Sequence, residues 1–151
     1  MNWVKDLPNL SQVRIPHCVN YFPGGGIYSL HTFCDGSNYS YAAAVFLRRE
    51  YKNVVEIHLL QAKARVAPLK QITITRLELL ACCIGGRLAH SVREAMNMAE
   101  INCCFWTDST MALSWIQNNE QLSVFVRNRV KNIRVNQHQR LEICTWLHEP
   151  S

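Results

Sequence analysis

The sequence predicts an α/β fold built on a mixed sheet, and three observations carry that prediction. Residues 41–64 alternate with the period of strands, residues 77–99 switch to the period of a helix, and residues 101–107 are apolar on both faces. The last pattern suits a central strand covered on both sides. Strands joined by short links pair antiparallel, and strands joined through a helix run parallel. The predicted order is β-β-β-α-β-α-α-β, with right-handed crossovers placing the fourth strand beside the first.

The elements follow in order. Residues 1–28 read as a lead-in, punctuated by Pro8, Pro16 and Pro23 and ending in Gly24-Gly25-Gly26. The first strand carries Leu30 and Phe33 and runs into the turn chemistry of Gly36-Ser37-Asn38. In the second, Tyr41, Ala43, Val45 and Leu47 share one face, and Ala42, Ala44 and Phe46 the other. Arg49 to Asn53 is expected to connect it to a third strand, Val54 to about Ala64, with Val55, Ile57 and Leu59 inward and Glu56 and His58 outward. After Pro68, Leu77, Leu80, Ala81, Ile84, Leu88, Val92, Ala95 and Ala99 recur at helical spacing. Gly85-Gly86 weakens that helix, which implies close approach to the sheet. Beyond the strand at 101–107, a short helix carries Ala112, Leu113, Trp115 and Ile116. A second helix spans Leu122 to Gln137 with Phe125, Val126, Val130 and Ile133 inward, and a last strand runs from Leu141 to Trp146.

Composition narrows the class. At 151 residues, 48% hydrophobic and 18% charged, the chain suits one globular domain with a core. A net charge of +5 permits a polyanionic partner without demanding one. The seven cysteines include no C-x-x-C and an odd member, which argues against a disulfide scaffold and a zinc site. A reducing, intracellular setting is expected, not a secreted one, with no membrane partner: no run approaches the roughly 18 apolar residues of a span. His31, His58, His90 and His138 show no ligand spacing.

Three carboxylates stand out. Asp35 and Asp108 each sit where a strand gives way to a loop, and ligands of open α/β sheets collect at the carboxyl ends of strands. Glu78 opens the long helix. Each has a structural alternative. Asp35 suits a turn cap, Thr75-Arg76-Leu77-Glu78 fits a capping box, and Asp108-Ser109 fits a helix cap. If all three converge they repel one another unless cations neutralise them. Carboxylate oxygens are hard ligands that suit Mg²⁺ or Mn²⁺.

The segments Phe33-Cys34-Asp35-Gly36-Ser37, Thr75-Arg76-Leu77-Glu78-Leu79-Leu80-Ala81 and Trp106-Thr107-Asp108-Ser109, with Ala112-Leu113-Ser114-Trp115-Ile116, resemble the ribonuclease H domain of retroelement polyproteins. The likeness is nearest to the BEL/Pao class of LTR retrotransposons, in which this domain follows reverse transcriptase. The resemblance implies an RNase H-like fold with a five-stranded mixed sheet, order 3-2-1-4-5, and helices on both faces. It implies a connection segment over residues 1–28, joining an upstream reverse transcriptase, and the RNase H-like domain over 29–151. It also implies hydrolysis of the RNA strand of an RNA–DNA hybrid by a two-ion Mg²⁺ (or Mn²⁺) site, with Asp35, Glu78 and Asp108 as catalytic metal ligands. The setting would be the cytoplasm or a retroelement particle.

One departure bears on activity. In such domains the last strand leads through a W-x-H-V-P-like segment to Asn-Pro-Ala-Asp, whose Asp is the fourth ligand. Here Thr145-Trp146-Leu147-His148-Glu149-Pro150-Ser151 matches the approach and then ends. The expectation is a chain without the last helix, weakly active or inactive. The alternative is a non-catalytic nucleic-acid-binding remnant of a polyprotein. Between Glu120 and Glu142 there is no acid, and Arg127, Lys131 and Arg134 fall on one helical stripe. That stripe suits phosphate contacts or a merely solvated face.

Overall fold

The computed structural model describes residues 25–70, 72–98, 100–117, 122–135 and 141–145, and the side chains among them up to residue 133. The strands are β1 (Ile27–Gly36), β2 (Ser40–Tyr51), β3 (Val54–Val66), β4 (Asn102–Thr107) and β5 (Leu141–Thr145). The helices are α1 (Ile74–Ala95), α2 (Thr110–Gln117) and α3 (Val124–Val135).

The sheet is mixed. The strands β3-β2-β1-β4 lie side by side, and the backbone of β5 pairs with the outer edge of β4. β1 runs antiparallel to β2 and parallel to β4, as the intervening helix requires. The link between β2 and β3 is tighter than expected. Both strands continue to a two-residue turn in which Lys52 and Asn53 adopt φ of 48° and 63°. Left-handed backbone at both central positions matches the twist of paired strands, so Arg49 to Tyr51 stay in the ladder.

α1 lies across β1 and β2. Leu30, Cys34, Ala43, Val45 and Leu47 point into one core with Leu79, Ala81, Cys82 and Leu88 of the helix. The paired glycines have the packing cause that the sequence implied. A Cβ on Gly85 would meet Cys34 Sγ at 2.5 Å and Thr32 Cγ2 at 3.0 Å. Val126, Val130 and Ile133 bring α3 onto the same core, and Trp115 of α2 packs against it. The basic stripe of α3 is opposite, with Arg127 and Lys131 exposed. The Arg134 side chain lies outside the described residues.

Two expectations are corrected. Helices were expected on both faces, yet among the described residues α1, α2 and α3 join one core on one face. The other face presents a row of rings. His31 and Phe33 each stack on Trp106 with centroids 6.0 and 5.9 Å away, and Phe46 meets Phe33 edge-on at 5.6 Å. The second correction is in β3, where Val55, Ile57 and Leu59 are 47%, 63% and 58% exposed rather than inward. A register shift at Val45/Phe46 explains it. Leu59 pairs with Phe46 on the ring-bearing face, whereas Gln61 pairs with Val45 on the α1 face. The bulge reverses which odd-numbered residues face the helix.

Candidate active site at the carboxyl edge of the sheet

The three sequence-singled carboxylates come to one edge by two different routes. β1 and β4 are parallel, with Phe33 opposite Trp106 as the last ladder pair. Asp35 lies two residues on in β1 and Asp108 directly follows the last residue of β4, so both stand at the same end of neighbouring strands. Glu78 arrives through backbone packing. A Cβ on Gly36 would lie 2.7 Å from the Glu78 nitrogen and 2.9 Å from the Leu77 carbonyl carbon. Glycine at 36 therefore lets α1 enter directly beside the end of β1.

None of the three carboxylates takes the structural role that the sequence offered it. The turn after Asp35 is closed by Ser37, whose Oγ accepts from the Tyr39 and Ser40 amides at 3.3 and 3.2 Å. The N-cap of α1 is Thr73, with no side-chain cap bond, and no acid stands in the first turn of the helix. Thr75 is already helical, so the capping box is not formed and Glu78 falls one turn further in. The cap of α2 is Ser109, whose Oγ accepts from the Ala112 amide at 3.1 Å. Asp35 and Asp108 are exposed and Glu78 is half-buried. No hydrogen bond or ion pair joins any of these three side chains to another described residue.

The donor set fits a hard divalent cation: carboxylate oxygens, free of other partners, on adjacent strand ends and an abutting helix. As the side chains stand, no three His, Cys, Asp or Glu among the described residues gather closely enough to hold an ion. The backbone brings the carboxylates to one edge without drawing the charges together. Uncompensated anions are expected to stay apart in this way.

The neighbouring thiols are not nucleophiles. Cys34, beside Asp35, has its pKa raised well above the ordinary thiol range by its hydrogen bond with Cys82 and by burial. Cys83 is pushed up to about 12, chiefly by burial, although Arg87 and Arg129 pull the other way. A thiol must ionise to attack, and these stay protonated at neutral pH.

Comparison with known proteins decides the family. Residues 1–109, a span that holds Asp35, Glu78 and Asp108, match the Pao retrotransposon-like RNaseH-like domain. The chain belongs to that family. Solved structures agree on the fold. An RNase H1 from the archaeon Halobacterium salinarum NRC-1 superposes with a TM-score of 0.50 at 12% identity, covering 78% of this chain and 84% of that one. The N-terminal RNase H domain of a Mycobacterium tuberculosis protein, solved as a fusion with maltose-binding protein, gives 0.53 at 10% identity, covering 80% and 82%. No curated protein matches this Pao-family chain.

Sequence reasoning missed a set of cations. Lys63, Arg65, Arg87 and Arg129 line a cavity between β3, α1 and α3. The alternation of Gln61, Lys63 and Arg65 with Ala62 and Ala64 was the available signal. Trp115 packs against the core. His148 and residues 1–24 lie outside the described residues. Among those described, no helix is long and apolar enough to cross a membrane.

Proposed function

We propose that this Pao-family domain binds RNA–DNA hybrids and hydrolyses the RNA strand, with Asp35, Glu78 and Asp108 holding two Mg²⁺ or Mn²⁺ ions. The observation that carries the reading is the edge itself. Asp35 and Asp108 stand at the same end of parallel neighbours, Glu78 abuts Gly36, and Ser37 and Ser109 relieve both aspartates of capping. Bound there, divalent ions would activate water and stabilise the leaving oxygen of a phosphodiester.

The protein's own part is positional. β1 carries Asp35 and the end of β4 delivers Asp108 to the same edge, because neighbouring ladder strands lie about 4.8 Å apart. α1 carries Glu78 as a rigid extension of the same edge. The exposed Arg127 and Lys131 of α3, with Arg134 on the same stripe, supply phosphate contacts that position a duplex without reading its sequence. In a polyprotein this domain would follow a reverse transcriptase, joined to it through residues 1–28, in the cytoplasm or a retroelement particle.

The test is cleavage of a labelled RNA–DNA hybrid by the full chain in Mg²⁺ and in Mn²⁺. Metal-dependent cutting that disappears in Asp35→Asn and Asp108→Asn supports the reading. A wild type as silent as its variants, yet still hybrid-binding, supports the second reading, a non-catalytic binding remnant. That alternative is favoured by one observation, the absence of a gathered three-ligand cluster among the described residues.

A further inference from the structure

We infer that the cavity between β3, α1 and α3 is a binding site for a multiply charged phosphate ligand, on a different stripe of α1 from the carboxylate edge. The cavity has a volume of about 640 Å³ and is walled by Lys63 and Arg65 of β3, Arg87 of α1 and Arg129 of α3. Leu80 and Ile84 contribute apolar wall between them.

Its origin lies in the β3 register. Beyond the bulge, Gln61, Lys63 and Arg65 pair with Val45, Ala43 and Tyr41, so they stand on the face that carries α1. On an edge strand under a helix, that face ordinarily contributes apolar residues to the core. Here it contributes long cations, and the space under the helix stays open. From α1, Leu80, Ile84, Arg87 and Ser91 recur at helical spacing along one stripe facing that space. Arg129 is held in place from α3. Its guanidinium lies 3.9 Å from the Phe125 ring centroid, and Nη1 donates to the Phe125 carbonyl at 3.4 Å.

The charge is one-sided. Among the described residues no Asp or Glu lines the cavity. Ion pairs join Arg48 to Glu50 and Arg49 to Glu56, and none is seen between these four cations and a described carboxylate. Arg87 and Arg129 both act on the Cys83 thiol, so two of the four charges share one neighbourhood. A solvated basic face spreads its charges along one element into water. This group instead converges from three elements onto a concavity, where mutual repulsion is relieved by an anion.

Phosphate is the matching chemistry. Guanidinium forks pair with phosphate oxygens two bonds at a time, and a lysine adds a point charge. The volume lies within the usual range for a small-molecule site and accommodates several linked phosphates. Two sources share that chemistry, a free polyphosphate and the phosphodiester backbone of a short single strand. The site adjoins the proposed hydrolytic edge, sharing Lys63 with the hollow that holds Asp35, but takes a different stripe of α1. Glu78 lies on the stripe of α1 that includes Gly85 and faces β1, whereas the cavity takes the stripe of Leu80, Ile84 and Arg87.

Titration calorimetry of the full chain with sodium tripolyphosphate, at fixed ionic strength and without divalent metal, tests the inference. Saturable binding is expected, weakened at least tenfold in Arg65→Ala/Arg87→Ala and unchanged in the exposed control Lys70→Ala. Arg65 and Arg87 are exposed, so the double variant keeps the fold, and a Lys63→Ala/Arg65→Ala pair gives an independent check. A five-nucleotide single strand that displaces tripolyphosphate, with the same variant sensitivity, assigns the site to a strand. Tripolyphosphate binding without displacement assigns it to a free polyphosphate. Absence of saturable binding, or equal weakening in the double variant and Lys70→Ala, overturns the inference. Because no hydrolysis is read, a catalytically silent chain leaves this result intact.

Discussion

Gly36 and Glu78 touch through backbone alone: a Cβ at position 36 would come within 2.7 Å of the Glu78 amide nitrogen. This contact joins the end of β1 to α1 next to Asp35. It makes the spacing of two candidate ligands depend on a residue that carries no side chain.

Gly36→Ala should therefore damage the site more than the fold. The added methyl meets backbone, which cannot rotate away, and overpacking of this kind costs about 1–3 kcal/mol. The helix must withdraw from the strand end, and a displacement near 1 Å is enough to lower a positioned reaction by about 100-fold. Denaturant titration and hybrid cleavage on the same preparation check the split.

Asp108 and Ser109 should separate cleanly by substitution. Ser109→Ala removes the acceptor of the Ala112 amide and should cost about 1 kcal/mol, or roughly 2–4 °C in Tm for a chain of this size. Asp108→Asn removes a charge that no described residue pairs with, so stability should move by no more than about 0.5 kcal/mol while metal-dependent cleavage is lost. A large Tm drop in Asp108→Asn would return the residue to a capping role.

The carboxylates were legible because strand ends and turn chemistry are local signals, and Asp35 and Asp108 each close an apolar run. What capped each turn was not legible. Asp and Ser compete for the same amides, and only geometry shows that Ser37 and Ser109 took them. β2 could be read because its two faces differ in size and burial. β3 defeated the same reading through one bulge, which leaves Val55, Ile57 and Leu59 outward and turns Lys63 and Arg65 under the helix. Of the cationic cavity only the alternation at 61–65 was visible, since residues 63, 65, 87 and 129 meet only once three elements are packed.

His31 should make stability pH-dependent on the acid side. Trp106 Nε1 donates to His31 Nδ1 at 3.0 Å, which requires that nitrogen to be unprotonated, and Ser29 Oγ lies 3.0 Å from Nε2. Burial, and secondarily the charge of Arg48, lowers the His31 pKa from 6.5. Between the lowered folded value and 6.5 the unfolded chain binds a proton that the folded chain does not, so stability rises with pH across that window. Urea midpoints should fall as pH is lowered from about 7 to about 5. His31→Phe keeps a ring beside Trp106 and should flatten that slope; an unchanged slope would assign it to other groups.

Gly85→Ala should destabilise the protein even though alanine is the better helix former. The propensity gain is about 1 kcal/mol at an exposed site. Position 85 is buried, and the new Cβ would press on Cys34 Sγ at 2.5 Å and Thr32 Cγ2 at 3.0 Å. Cys34 has little room to yield, because it is 2% exposed and its thiol is engaged with Cys82. Overpacking at about 1–3 kcal/mol outweighs the propensity term, for a net loss of up to about 2 kcal/mol. The compensating change is Cys34→Ala, which removes the nearer contact but leaves Thr32. In the double variant, guanidinium titration should recover much of the loss and not all of it. If Gly85→Ala were instead stabilising alone, α1 would not be seated on β1 at this point.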